Sequence, residues 1–150
     1  MSIKQDIHDN LIHALKSRDK TMKALWSTLL SELQNAEKEG KHPHEFDEEE
    51  SIRFINEQVK QREKASEAYR RGGADMRAEA EIEEAIIIRD LLPRSERIRE
   101  NLREEAIALK DKVSDKKSFG MMMNRINTGE DFTEQSHVVI RDGALDIVEN

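Results

Sequence analysis

The chain has 150 residues, 36% of them apolar and 38% charged, with no cysteine and a net charge of −7 from 25 basic and 32 acidic side chains. The absence of cysteine excludes a disulfide framework, thiolate metal sites and a cysteine nucleophile, and the charge imbalance is too small for this length to enforce disorder. The longest apolar runs, such as residues 85–88, fall far short of a bilayer span, and residues 1–6 mix charges without an apolar signal core; a cytoplasmic protein with no membrane partner is expected.

Helical periodicity dominates, and β-type alternation is nearly absent. Ser2 suits the N-cap of a first helix reaching about residue 18, with Ile3, Ile7, Leu11 and Leu15 repeating every four residues on one face. Asp19 suits the next N-cap. Met22, Leu25, Trp26, Leu29, Leu30 and Leu33 then form a broad apolar face, and Gly40 is placed to end this helix in a left-handed cap. Asp47 with Glu50 three positions later has the form of a capping box before Ile52, Phe54, Ile55 and Val59. This third helix continues past Ala65, Ala68 and Tyr69 to the stop at Gly72-Gly73, its second half polar and packing thinly through alanines or projecting. A fourth helix is expected over residues 74–91. Its three consecutive isoleucines, Ile86 to Ile88, favour a strand on propensity, but the surrounding Glu and Ala and the segment's length favour a helix mostly surrounded by protein. Pro93 ends it.

Beyond Pro93 the apolar set is sparser. Ser95 can cap a helix bearing Ile98, Leu102, Ala106 and Leu109. A short helix follows over 117–126, with Phe119, Met122, Met123 and Ile126 inward and one of the three methionines exposed. Thr133 can cap a last helix through Val138 and Val139, interrupted by Asp142-Gly143 before Leu145, Ile147 and Val148. The pattern therefore predicts an all-α protein. Residues 1–93 form a larger N-terminal domain of about four helices whose core includes Trp26, Leu29, Leu30, Phe54 and Ile86; residues 94–150 form a small tail domain of two or three short helices. No repeat of fixed period is present.

Candidate chemistry is thin. His42-Pro43-His44 with Glu45 and Asp47 lacks the spacing of an established zinc site. His8 and His13 share no helix face, and His137 stands alone. Glu48-Glu49-Glu50 occupies a helix first turn, where carboxylates meet the positive end of the dipole. Glu79, Glu81, Glu83 and Glu84 spread around a helix, although Glu81 or Glu84 can pair with an arginine of a neighbouring helix. No phosphate-binding glycine loop, nucleophile elbow or His-Glu-x-x-His occurs, so no catalytic residue, metal or cofactor is assigned. Two basic patches remain. Lys60, Arg62, Lys64, Arg70 and Arg71 are diluted by Glu57, Glu63 and Glu67. Lys110, Lys112, Lys116, Lys117 and Arg125 face only Asp111 and Asp115, and a local surplus of cations is what a phosphate backbone meets.

Several segments, in order, carry a resemblance: Leu15-Lys16-Ser17-Arg18-Asp19-Lys20, Ala36-Glu37, Lys60-Gln61-Arg62-Glu63, Glu67-Ala68-Tyr69, Gly72-Gly73-Ala74-Asp75-Met76, Glu79, Glu84 and Leu91-Leu92-Pro93. Together they resemble the GatB/YqeY-like family over roughly residues 3–126. Ser118-Phe119-Gly120-Met121-Met122-Met123 resembles that family's Met-Gly-x-x-Met turn, with Phe119 in the first Met place. The resemblance implies an all-α protein of two parts, a larger N-terminal helical domain and a small three-helix tail; that tail is shared with the B and E subunits of tRNA-dependent amidotransferases, where it contacts tRNA and catalysis lies elsewhere. One departure stands out: the family's last helix follows an Arg/Lys-x-Asp-Gly turn, whereas this chain reads Thr128-Gly129-Glu130-Asp131-Phe132-Thr133 there and places Asp-Gly only at Asp142-Gly143.

The leading expectation is a non-catalytic, tRNA-associated accessory protein whose tail contacts phosphates through Lys116, Lys117 and Arg125, flanked by Lys110 and Lys112. A rival is a protein-interaction module docking on an amidotransferase or another translation-associated protein through an apolar groove. A third reading, following only the family resemblance, is a component of glutamine-dependent carbon–nitrogen ligase activity.

Overall fold

The computed structural model describes residues 2–128 and 131–149; Gly129 and Glu130, in the divergent segment, lie outside the described residues. The chain falls into two compact units, Met1–Leu92 and Pro93–Asn150.

In the first unit, α1 (Ile3–Ser17) and α2 (Lys20–Lys38) are joined by a tight turn. Ser2 and Asp19 accept the backbone N–H of Gln5 and Met22, as N-caps do. Arg18 takes the left-handed conformation, φ 57°, that reverses the chain. The buried face of α1 is Ile3, Ile7 and Ala14, while Leu15 is 51% exposed. A strict step of four residues overshoots a 100° repeat, so Leu15 sits about 120° from Ile3 whereas Ala14 sits about 20° from it. The second helix stops at Lys38, before Gly40.

The connection back to α3 (Glu48–Arg71) is held by Glu37. Its buried carboxylate accepts the Phe46 N–H at 2.8 Å and the Lys4 ammonium at 2.9 Å, and its carbonyl accepts the His44 N–H at 3.1 Å. Burial pushes the Glu37 carboxyl up, but the Phe46 N–H and the Lys4 ammonium outweigh it and hold the group below its ordinary value. Asp47 and Glu50 form the expected capping box.

The helices α3 and α4 (Asp75–Arg89) pack along their length. Near the core the contact is apolar, through Ile55, Val59, Ala85 and Ile88. Farther out it uses small and polar groups: buried Ser66 donates to the Ala78 carbonyl at 2.8 Å. The fourth helix is not surrounded by protein. Ile88 is fully buried, Ile87 is intermediate and Ile86 is 59% exposed, so Ile86 does not belong to the core. Consecutive helical residues point 100° apart, and one neighbour covers only one face. This helix ends at Arg89, ahead of Pro93, which instead stands at the N-cap of α5 (Arg94–Leu109); Ser95 lies inside that helix and does not cap it.

The second unit corrects the expected three-helix tail. It contains α5, a 3-10 turn (Lys110–Lys112), α6 (Lys117–Asn127) and a hairpin of β1 (Ser136–Arg141) and β2 (Ala144–Glu149). Thr133 caps no helix. Its carbonyl accepts the Ser136 N–H at 3.0 Å and its hydroxyl accepts the Gln135 N–H at 3.2 Å, a turn that leads into β1. The strands pair antiparallel, from Arg141 opposite Ala144 to Ser136 opposite Glu149. Asp142 and Gly143 both have positive φ, 53° and 80°, which the two-residue turn between right-twisted strands requires. Asp-Gly is therefore the hairpin turn, not an interrupted helix, and Val138-Val139-Ile140 is a β-branched strand. Ile98, Leu102, Ala106, Val113, Met122, Ile126, Val138 and Leu145 form the core of this unit. Of the three methionines, Met122 is buried, Met123 packs against the core and Met121 is 72% exposed.

Candidate nucleic-acid interface

The lysine-rich segment is the connection from α5 to α6. Leu109 closes α5, the chain tightens into the 3-10 turn, and Val113 drops into the core, 3% exposed. The next residues are tied to the hairpin turn. The Gly143 carbonyl accepts the N–H groups of Ser114 and Asp115 at 3.0 and 2.9 Å and the Ser114 hydroxyl at 3.3 Å. Asp115 accepts the Lys117 N–H at 3.1 Å, which puts a carboxylate at the positive end of α6. Buried Ser118 donates its hydroxyl to the Asp115 carbonyl at 2.7 Å and accepts the Leu145 N–H at 3.2 Å.

Four lysines project from this braced backbone. Lys110, Lys112, Lys116 and Lys117 are all exposed, within eight residues that also contain Asp111 and Asp115. The Lys110 ammonium lies 4.7 Å from the centre of the Phe119 ring, a cation–π contact that holds it against α6. Lys116 reaches back to the Asp111 carbonyl at 3.4 Å.

Arg125 stands apart from them. It lies eight residues beyond Lys117 on α6, about 12 Å along the axis, and is 3.6 Å from Asp146 of β2. Asp146 also binds Arg141 at 3.2 Å. The hairpin thus groups Arg125 with Arg141, a residue the sequence reading did not single out; recognising Asp142-Gly143 as a hairpin turn is the signal that brings them together.

The second basic patch is divided by helix geometry. Lys60, Lys64 and Arg71 share one exposed stripe of α3 with Glu67, which pairs with Arg71 at 3.7 Å. Arg70 is exposed on the same last turn. Arg62 turns the other way. It donates to the Gln58 side chain at 2.7 Å and lies 3.6 Å from Glu84 of α4, with its side chain 12% exposed. That is the interhelical pairing expected of Glu81 or Glu84. Burial pushes the neighbouring Glu81 carboxyl up, the Glu84 charge adds to this, and Arg62 opposes both.

The histidines have local partners. His137 reaches Glu105 of α5 at 3.0 Å, and His44 lies 2.8 Å from both the His42 carbonyl and Glu50. Among the described residues no group of three His, Asp or Glu side chains is arranged to hold a metal ion, and no helix is long and apolar enough to cross a membrane.

A comparison with curated proteins finds no match. Residues 4–138 match the family described as Yqey-like protein. The match runs through both units and stops inside β1, so the hairpin turn and β2 lie beyond it. With nine-tenths of its length matched, the chain belongs to the GatB/YqeY family.

Proposed function

We propose that the protein is a non-catalytic helical accessory protein that associates with tRNA through phosphate contacts made by the α5–α6 connection. The observation that carries this reading is the set of four exposed lysines on a backbone segment braced by Val113 and the Gly143 carbonyl. A braced segment loses little conformational freedom on binding, so more of the charge attraction is kept as affinity. The tail kinship implied by the family resemblance supports the same assignment. Base stacking plays no part: the tail's aromatic rings, Phe119 and Phe132, are packed against its core, and stacking platforms need exposed rings.

The test is a titration with bulk tRNA across a salt series. Four phosphate contacts give a log–log slope of about −3, at ~0.7–0.9 per contact. The variant Lys112→Glu/Lys116→Glu/Lys117→Glu is expected to flatten the slope to about −1 and to weaken all tRNAs alike, because phosphate contacts carry no sequence information. Lys60→Glu/Lys64→Glu is expected to have the smaller effect, since Glu57, Glu63 and Glu67 already oppose that field. Absence of binding at low salt, or a folded triple variant with unchanged affinity and slope, overturns the reading.

A further inference from the structure

His44 sits in the connection between α2 and α3, with its side chain about half exposed. Its backbone is anchored, because the His44 N–H donates to the Glu37 carbonyl at 3.1 Å. Its ring is held at both nitrogens. Nδ1 lies 2.8 Å from the His42 carbonyl oxygen, and Nε2 lies 2.8 Å from a carboxylate oxygen of Glu50. The other Glu50 oxygen accepts the Asp47 N–H at 3.3 Å in the capping box, so one carboxylate serves the helix start and the ring together.

Both partners of the ring are acceptors. A neutral imidazole carries one N–H, so it satisfies one of them and turns a lone pair toward the other; an imidazolium donates to both. We infer that His44 is a proton-operated latch: as imidazolium it ties the α2–α3 connection to the first turn of α3, and on losing its proton it lets that connection go. The exposed side of the ring gives solvent direct access to the proton, as a switch working near neutral pH requires.

The groups around the ring set the direction of the switch. Asp47 and Glu50 face it from the start of α3, Glu45 and His42 belong to its own segment, and Glu37 and Lys38 of α2 and Lys4 of α1 line the same cleft. Lys4 is engaged by Glu37 and Glu45 at 2.9 and 3.0 Å. The hydrogen bond to the His42 carbonyl, followed by the bond to Glu50 and its charge, holds the His44 ring above its ordinary 6.5. The latch is therefore closed below 6.5 and opens as pH rises through the folded value. Glu37, held below 4.5, and Lys4, raised above 10.5, do not titrate in that range. Release is local. Phe46 stays packed on the core of the first unit with its N–H on Glu37, so the exposed residues 39–45 are the part that loosens.

The test uses the full-length chain in two measurements between about pH 6 and pH 9, the range in which histidine titrates. Proton–carbon NMR follows the His44 ring. Because the chain has no cysteine, a nitroxide attached through Lys41→Cys reports the motion of the connection without competing labels. The ring is expected to titrate with a midpoint above 6.5, and the nitroxide to become more mobile with the same midpoint, while Trp26 fluorescence stays native. His44→Ala is expected to give a mobile nitroxide throughout, with the step lost. Glu50→Gln is expected to lower the ring midpoint, and His42→Gln, which keeps the carbonyl, to leave midpoint and step unchanged. A ring midpoint at or below 6.5, or nitroxide mobility that stays constant through the ring titration, overturns the inference. So does a step that persists in His44→Ala, which assigns it to another titrating group, or a midpoint that Glu50→Gln leaves in place.

Discussion

Replacing Gly143 with alanine tests how the hairpin braces the lysine connection. Gly143 has φ +80°, and a β-carbon built on it would lie 2.2 Å from the Ser114 hydroxyl oxygen. Two costs follow. An L-residue in the left-handed region loses about 1–2 kcal/mol. The Ser114 hydroxyl must also swing away from the Gly143 carbonyl, forfeiting a weak hydrogen bond of about 0.5–1 kcal/mol. The sum is a loss of about 1.5–3 kcal/mol from the second unit. Amide hydrogen exchange of the paired residues of β1 and β2 is the direct readout, and the variant should exchange roughly ten- to a hundredfold faster where opening of this unit controls exchange. Ser114→Ala/Gly143→Ala compared with Ser114→Ala removes the oxygen contact from both members and isolates the backbone part, so those two should differ by about 1–2 kcal/mol. Exchange rates in Gly143→Ala within a factor of two of the parent would falsify the account of both the turn and its brace.

Two isoleucines of α4 should behave differently: Ile88→Ala is expected to cost about 2–4 kcal/mol in a urea melt followed by Trp26 fluorescence, as deletion of a fully buried side chain does, and Ile86→Ala less than about 0.5 kcal/mol. Equal effects would contradict the burial assigned to the helix. Lys4→Met strips the cation from buried Glu37 and is expected to lower the stability of the first unit by about 1–3 kcal/mol in the same melt, less than for a wholly buried pair because Lys4 remains partly solvated. The pair also fixes a pH window. Glu37 is held below its ordinary 4.5, so its contribution is complete above that pH and is lost as pH falls through the folded value. Lys4 is raised above 10.5, first by its hydrogen bond to Glu37 and then by Glu45, so its contribution is complete below 10.5 and is lost as pH rises through the folded value. A melt midpoint that Lys4→Met leaves unmoved near neutral pH would show that the pair is ornamental.

Helix boundaries were legible wherever a local cap writes them. Ser2, Asp19 and the Asp47–Glu50 box each satisfy backbone N–H groups within three residues, so the signal and its cause sit together in the chain. Burial of particular faces was less legible. Ala14 replaced Leu15 because small deviations from the helical repeat accumulate over three turns, and Ile86 faces outward because it points about 200° around α4 from Ile88, which is buried in the core. The hairpin was missed for a different reason. Val138, Val139 and Ile140 run together without strict alternation, and nothing in them indicates that their partner lies beyond Asp142-Gly143 until the turn itself is read as a two-residue connection.

That omission mattered most for the candidate site, because the hairpin organises the charge of the tail. Its turn carbonyl fixes the backbone from which Lys112, Lys116 and Lys117 project. Its second strand supplies Asp146, which takes up Arg125 and binds Arg141 beside it. Its first strand brings His137 to Glu105 of α5. In the sequence the five cations of residues 110–125 form one list; in the fold they are four lysines on a braced connection and one arginine paired about two turns away. A count of local charge can therefore find a basic segment, but only strand pairing decides which of its cations face solvent as a group. The matched family region ends within β1, so the residues that make this division, Gly143 and Asp146, lie beyond it.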